Sequence, residues 1–357
     1  MGEFDLWFEG SKGTVLRPTG DVFACAGLLP AMIKGEPLEL PSGLPVDGAL
    51  LDHLDQLQEI YVAWGGHWGL PLRRIKVLAE HRTGDAVAAP GVLSFFSGGV
   101  DGTYTAMRNR ERITTALLLR GIDMQLTNLE LWPAAKAAAD RLANHLGLQL
   151  ATVETNVRFL GYDAGLKWAD HYQGAGLATI GHLLGQEQVL VAATSSLADL
   201  GPYGSHPLTD PLWSSSTTKF VHEGAVPRTE KIRLIGQDAV VMEVLRVCWR
   251  DSGYNCGRCG KCLRTMVALH LLGIEAPTFP RRIDWGAVGK IRLGDPSEWS
   301  FYRGLVALER ERPDVDARRA LGKIRRASLL TSGLRDLDAA VGGPVARLKR
   351  AIRPPKR

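Results

Sequence analysis

The run "SFFSGGVDGTYT", residues 94–105, couples two bulky aromatics to a glycine pair and then an acid. Val92–Phe96 is a short apolar run of the kind that forms a buried strand. Ser97, Gly98 and Gly99 follow, where small or absent side chains let the backbone approach a ligand closely. A helix can start at Asp101. Strand, glycine turn and helix N-terminus together make an anion site, because the free N–H groups and the helix dipole both favour phosphate. An ordinary strand-to-helix turn would use the same residues, and the turn alone does not choose between the two.

Four of the five cysteines fall in "CWRDSGYNCGRCGKCLRT": Cys248, Cys256, Cys259 and Cys262, spaced C-x7-C-x2-C-x2-C. Two residues between cysteines let a tight turn aim both sulfurs at one ion, and four thiolates suit tetrahedral zinc. Gly257 and Gly260 relieve the turn, while Arg258, Lys261 and Arg264 offset the negative charge of such a centre. An iron–sulfur cluster uses the same ligand type, but its ferredoxin pattern needs a fourth cysteine downstream, which is missing here. Zinc is the expectation over a cluster, and Cys25 reads as a buried small hydrophobe.

These residues need elements to hold them. Residues 1–90 read as a mixed N-terminal α+β region, with "DLWFEG" and "TVLRPTGD" as strands and "VDGALLDHLDQLQEIYVAWGG" as a helix closed by glycines. From 91 to 275 the pattern alternates strand and helix: "GVLSFF", "ITTALLLRGIDM", "LQLATVET" and "QEQVLVAATSS" as strands. "LWPAAKAAADRLANHLG" and "LKWADHYQGAGLATIGHLLG" read as the helices between them, Pro133 being tolerable only in a first turn. This predicts an α/β fold, a parallel sheet with helices on both faces, whose ligands sit beyond the carboxyl ends of the strands. Ser97–Asp101, the 120–130 loop and Ser195–Ser196 then share one rim. Residues 276–357 read as a helical, basic C-terminal region.

The two motifs together resemble one superfamily. "SGGVDGTYT" is similar to the SGGxDS loop of the N-type ATP pyrophosphatases (PP-loop proteins). "CGRCGKCLR" with an upstream cysteine is similar to the zinc segment of 7-cyano-7-deazaguanine synthases within that superfamily, and "RTEKIRLIG" to its Lys-containing helix start. The resemblance covers about 90 to 275 and implies an adenine nucleotide alpha hydrolase-like sheet, with ATP, Mg²⁺ and Zn²⁺ as cofactors. It implies that Ser97, Gly98, Gly99, Val100, Asp101, Gly102 and Thr103 cradle the β- and γ-phosphates, with Asp101 helping to place Mg²⁺. Asn128 and Asp123 are candidates for adenosine or substrate contact, with turn chemistry and helix capping as the equal alternative. Asp101, His206, Asp210 and Lys231 are the catalytic candidates, His206 and Asp210 on the substrate side, with Lys219 and Lys231 as charges for phosphoryl oxygens and Ser195 as a further candidate for nucleotide contact. Three departures are evident. Gly102 replaces the family's serine, "YGSHPLTDPLWSS" stands where the synthase has its Tyr-Pro-Asp-Cys-Arg segment, and the first 90 residues have no synthase counterpart. ATP chemistry is therefore expected to carry over, and the deazaguanine substrate is not.

The leading functional expectation is an AMP-forming ligase. It adenylates a carboxylate or carbonyl oxygen of a small molecule, releases pyrophosphate, and then passes the activated group to an amine or ammonia. A sulfur transferase acting on tRNA or a small molecule is the second expectation, and a non-enzymatic zinc module binding nucleic acid the third. The sulfur route wants a reactive cysteine outside the zinc set, and Cys25 is the one spare. Composition sets the bounds: with 45% hydrophobic and 23% charged residues the chain reads as an ordinary globular protein. No apolar stretch approaches the roughly 20 residues of a membrane span, and the acidic, aromatic N-terminus is unlike a secretory signal, so a cytoplasmic location is expected. Six Lys or Arg crowd "ARLKRAIRPPKR", residues 346–357; without them the net charge of +5 becomes −1. The body is near neutral, which argues against nucleic acid as the partner without excluding it. A nitrogen- or sulfur-donor partner and a homodimer stay open.

Overall fold

The computed structural model describes residues 3–82, 88–250, 253–294 and 296–340; the basic tail lies outside them. In chain order the elements begin with β1 (Phe8–Gly10), α1 (Gly20–Lys34), β2 (Leu38–Glu39), α2 (Gly48–Trp68) and β3 (Val77–Leu78). Next come β4 (Ala89–Phe95), α3 (Val100–Arg108), β5 (Thr115–Arg120), α4 (Leu131–Leu146), β6 (Gln149–Thr155) and α5 (Val157–Asp163). They continue with α6 (Gln173–Leu184), β7 (Gln186–Ala192), β8 (Lys219–Glu223), α7 (Arg228–Ile235) and α8 (Ala239–Val244). The last are α9 (Gly260–Leu272), α10 (Trp285–Val288), α11 (Pro296–Glu311) and α12 (Val315–Ala340).

The main sheet has six strands in the order β1-β6-β5-β4-β7-β8. All neighbours are parallel except β1, which runs antiparallel to β6. Alternation along the strands supplies both faces, as the two-residue period requires. Ala116, Leu118 and Leu190 face the side covered by α3, α4 and the C-terminal helices. Leu117, Leu119, Val189 and Val191 face the side covered by α1, α2, α5 and α6. The expected α/β architecture with a largely parallel, doubly covered sheet is present. The N-terminal region shares in it, since β1 is a sheet edge and α1 belongs to the same apolar core as Leu93 and Leu117.

Strand order reverses at β4. From β4 the chain moves out to β5 and β6, then returns to the other flank as β7 and β8, so a crevice opens between the carboxyl ends of β4 and β7. Such switch points are where open parallel sheets bind ligands. Gly121, with φ of +93°, begins the turn after β5; a Cβ there would sit 1.9 Å from the Thr155 carbonyl oxygen, so only glycine allows β5 and β6 to end this close together.

Local details depart from the sequence reading. Residues 14–18 form no strand; Pro18 has no N–H to pair, and Thr19 caps α1 instead. The helix α1 escapes a periodicity argument because it is apolar on almost every side and buried at most positions from Gly20 to Met32. The stretch predicted as one helix from Leu166 begins with a π-helical turn over Trp168–Tyr172 before α6. The expected helix end at Gly65–Gly66 comes later, at Gly69 in the left-handed conformation.

Candidate functional site

The loop after β4 is built for a close turn. Phe96 N–H closes on the Leu117 carbonyl at 2.7 Å, and Gly98 then takes φ of +72°, a conformation that costs other residues roughly 1–2 kcal/mol. Gly99 caps α3, leaving the first amides of that helix without intrahelical partners. The Arg246 amide donates to the Gly98 carbonyl at 3.0 Å and ties the loop to the segment before the cysteines. A Cβ on Gly102 would lie 3.0 Å from the Phe95 carbonyl oxygen. A serine here would push against backbone, which gives Gly102 a steric reason.

Asp101, in the first turn of α3, is the acid of this loop and is held by two cations from α7. Lys231 Nζ donates to its Oδ1 at 2.9 Å and to the Ala193 carbonyl at 2.6 Å, and Arg228 pairs with its Oδ2. Lys231 is fully buried and lies 5.8 Å from the centroid of the Tyr104 ring. Burial opposes ionisation of Asp101, but Arg228 and Lys231 outweigh it and hold the carboxyl below its ordinary value. Burial lowers Lys231 in turn, and the charge of Asp101 resists that fall. Asp101 and Lys231, 130 positions apart in sequence, form one structural unit.

In front of this unit lies a cavity of about 410 Å³, within the roughly 300–1,000 Å³ range of small-molecule sites. Ser97, Gly99, Val100, Asp101 and Gly102 form its loop wall, and Arg228, Arg246, Lys261 and Arg264 carry positive charge into it. Asp123, in the turn after β5, lines it too. Trp168, Tyr203 and the largely exposed Trp249 add aromatic surface. Arg264 pairs with Glu298 at 3.3 Å, and Trp249 lies under Lys261, whose Nζ is 5.2 Å from its ring centroid. Burial lowers Lys261, with Asp123 the main opposing charge.

The four cysteines meet beside this cavity. Their sulfurs all lie within 4.8 Å of one another, with Cys248 to Cys259 at 3.9 Å and Cys256 to Cys262 at 4.0 Å. A tetrahedron of sulfurs about 2.3 Å from zinc has edges of about 3.8 Å, so the cluster could hold such an ion. The local backbone explains the convergence. Cys259 caps α9 and accepts the Cys262 amide at 3.4 Å, Cys256 accepts the Cys259 amide at 3.3 Å, and Gly257 turns with φ of +64°. Hydrogen bonds led by Cys262 hold the Cys259 thiol well below its ordinary value, favouring the thiolate. Cys248 also lines the cavity, so the cluster and the cavity share a wall.

Other expected residues lie elsewhere. His206 and Asp210 do not line the cavity. Asp210 is buried, taking the Ser205 hydroxyl at 2.7 Å, the His222 Nδ1 at 2.6 Å and the His206 amide at 3.1 Å. The His206 ring stacks edge-on against Trp64 at 5.1 Å and accepts the Leu208 amide at Nδ1. Asn128 lies in the turn before α4 and its side-chain oxygen accepts the Leu131 amide at 3.0 Å. Ser195 is half-buried beside Thr194, which lines the cavity while Ser195 does not. Thr103 is fully buried, with its hydroxyl unpartnered among the described residues, and lies behind the lining. Lys219 starts β8 and so sits at the end of the sheet away from the rim. Cys25 is fully buried on α1, where burial pushes its thiol up.

Sequence reasoning missed Arg228, Arg246, Trp249, Trp168 and Tyr203. Arg228 stands three positions before Lys231, a helical spacing that puts both on one face, and Arg246 and Trp249 flank Cys248. Those signals were present in the sequence; nothing local marked Trp168 or Tyr203. No helix among the described residues is long and apolar enough to cross a membrane. No protein-family model matches the chain, and no curated protein matches it significantly.

Proposed function

We propose that the chain is an AMP-forming ligase of the ATP pyrophosphatase type, with an adenine nucleotide alpha hydrolase-like sheet. The observation that carries this is the Ser97-Gly98-Gly99 loop opening on α3 at the sheet's switch point, before a cavity lined with four cationic side chains. A triphosphate suits that charge, and the amides of Gly99, Val100 and Asp101 are donors for its β- and γ-phosphates. No lysine-bearing G-x-x-x-x-G-K-[ST] segment occurs, which argues for gripping pyrophosphate as a leaving group rather than transferring the γ-phosphoryl group.

In the reaction a carboxylate or carbonyl oxygen of the acceptor attacks the α-phosphorus. The α–β phosphoanhydride bond breaks and pyrophosphate leaves. An amine or ammonia then attacks the adenylated carbon, loses a proton, and AMP departs with the bridging oxygen. Lys231 and Arg228 orient Asp101 and add positive charge behind the loop. Both Asp101 oxygens are engaged by these cations, so the carboxylate does not offer Mg²⁺ a ready donor set. Cys248, Cys256, Cys259 and Cys262 fit zinc in a closed, structural role with no open position for substrate. The sulfur-transfer reading weakens because Cys25 is buried in the core away from the cavity.

The test is product identification by chromatography after incubation with ATP, Mg²⁺ and a screen of carboxylic acids and amines. AMP with pyrophosphate, formed only with an acceptor, is expected. ADP with orthophosphate would refute the adenylation chemistry.

A further inference from the structure

Among the cavity's cations, Arg228 is paired with Asp101 and Arg264 with Glu298. Arg246 has no such partner. Its residue exposure is 5%, it lines the cavity, and neither Nε nor Nη2 makes a hydrogen bond among the described residues. No ion pair to it is present among those residues either. A buried guanidinium left this way is costly, because its lost hydration is not replaced by a counter-charge. Its place is fixed all the same: the Arg246 amide is bonded to the Gly98 carbonyl, and Tyr254 beside it is anchored through its hydroxyl to the Val244 carbonyl at 2.6 Å. Lys261 adds a second charge on the same wall with no carboxylate in ion-pair range among the described residues.

We infer that Arg246, assisted by Lys261, forms an oxyanion subsite beside the glycine loop, and that it grips the terminal phosphates of the nucleotide and the pyrophosphate released from it. The guanidinium offers planar, paired donors to phosphate oxygens, and its main chain is locked to the loop whose amides face the same cavity. Naming pyrophosphate as the occupant rests on the function proposed above; an anion-binding role for Arg246 does not. The alternative source of the same chemistry is a carboxylate of the acceptor.

The experiment uses the full chain and titrates inorganic pyrophosphate, AMP and succinate by calorimetry into wild type, Arg246→Met and Arg246→Lys, with the melting temperature of each ligand-free protein measured in parallel. Methionine keeps much of the apolar stem and removes the unpaired charge. The expected result is a loss of pyrophosphate affinity on the order of tenfold to a hundredfold in Arg246→Met, smaller in Arg246→Lys, with AMP affinity unchanged. Ligand-free Arg246→Met should melt no lower than wild type, a signature that a structural arginine would not give. Unchanged pyrophosphate binding in Arg246→Met overturns the inference and leaves the proposed function standing. So does binding that depends on Arg246 for succinate but not pyrophosphate. If pyrophosphate binding needs Arg246 while no adenylation product ever forms, the subsite stands and the proposed function falls. If wild type binds none of the three, both are wrong.

Discussion

Replacing Lys231 by methionine probes the centre of the site. The substitution keeps a straight, buried chain and removes only the ammonium, so two acceptors lose a donor: Asp101 Oδ1 and the Ala193 carbonyl. Leaving one member of a buried pair uncompensated costs about 3–5 kcal/mol. Asp101 keeps Arg228 and its side chain is 21% exposed, which points to the lower end, about 3 kcal/mol. At about 2.1 cal/mol/K of unfolding entropy per residue, a chain of 357 residues has roughly 0.75 kcal/mol/K, so the melting temperature should fall by about 4 °C. Asp101→Asn and the double variant complete a cycle, followed by thermal or denaturant unfolding. The double variant should be less destabilised than the sum of the singles by more than about 1 kcal/mol, because the second change removes a group already stranded by the first. The pH dependence gives a further check. Since Arg228 and Lys231 hold Asp101 below its ordinary value, the advantage of wild type over Asp101→Asn is complete above the unfolded value near 3.9 and fades as pH falls through the lower folded one. Additivity within about 0.5 kcal/mol, or an advantage that does not fade in acid, would show that Asp101 and Lys231 do not work as a unit.

Two further outcomes follow from the geometry. Cys256→Ser should lower bound metal measured by atomic emission and the melting temperature together, since a four-cysteine site contributes folding energy directly; full stability with no metal in wild type would contradict this. Asp210→Asn should destabilise the protein by about 2–4 kcal/mol in chemical denaturation, because Ser205, His222 and the His206 amide all converge on that carboxylate; a variant as stable as wild type but unable to bind ligand would return Asp210 to the site.

Residue order by itself determined the local chemistry. A glycine pair between an apolar run and an acid can form a tight turn into a helix whatever surrounds it, because left-handed φ is open to glycine alone at little cost. Two-residue spacing brings sulfurs together through one turn of backbone, so Cys256, Cys259 and Cys262 were legible as a cluster. Short apolar runs separated by helical stretches likewise announced a covered parallel sheet, since a strand buried on both faces reads as a near-continuous apolar run. Only the tertiary structure decided which of these pieces meet. Lys231 reaches Asp101 because α7 packs against α3, and Arg246 reaches the loop because the chain returns across the sheet after β8. His206 and Asp210 looked like loop residues open to a substrate, yet aromatic packing from α2 and a hydrogen bond from β8 turned them inward. Periodicity reports whether a residue is buried, not against what; the partner of a buried charge is chosen by long-range packing that no local window contains.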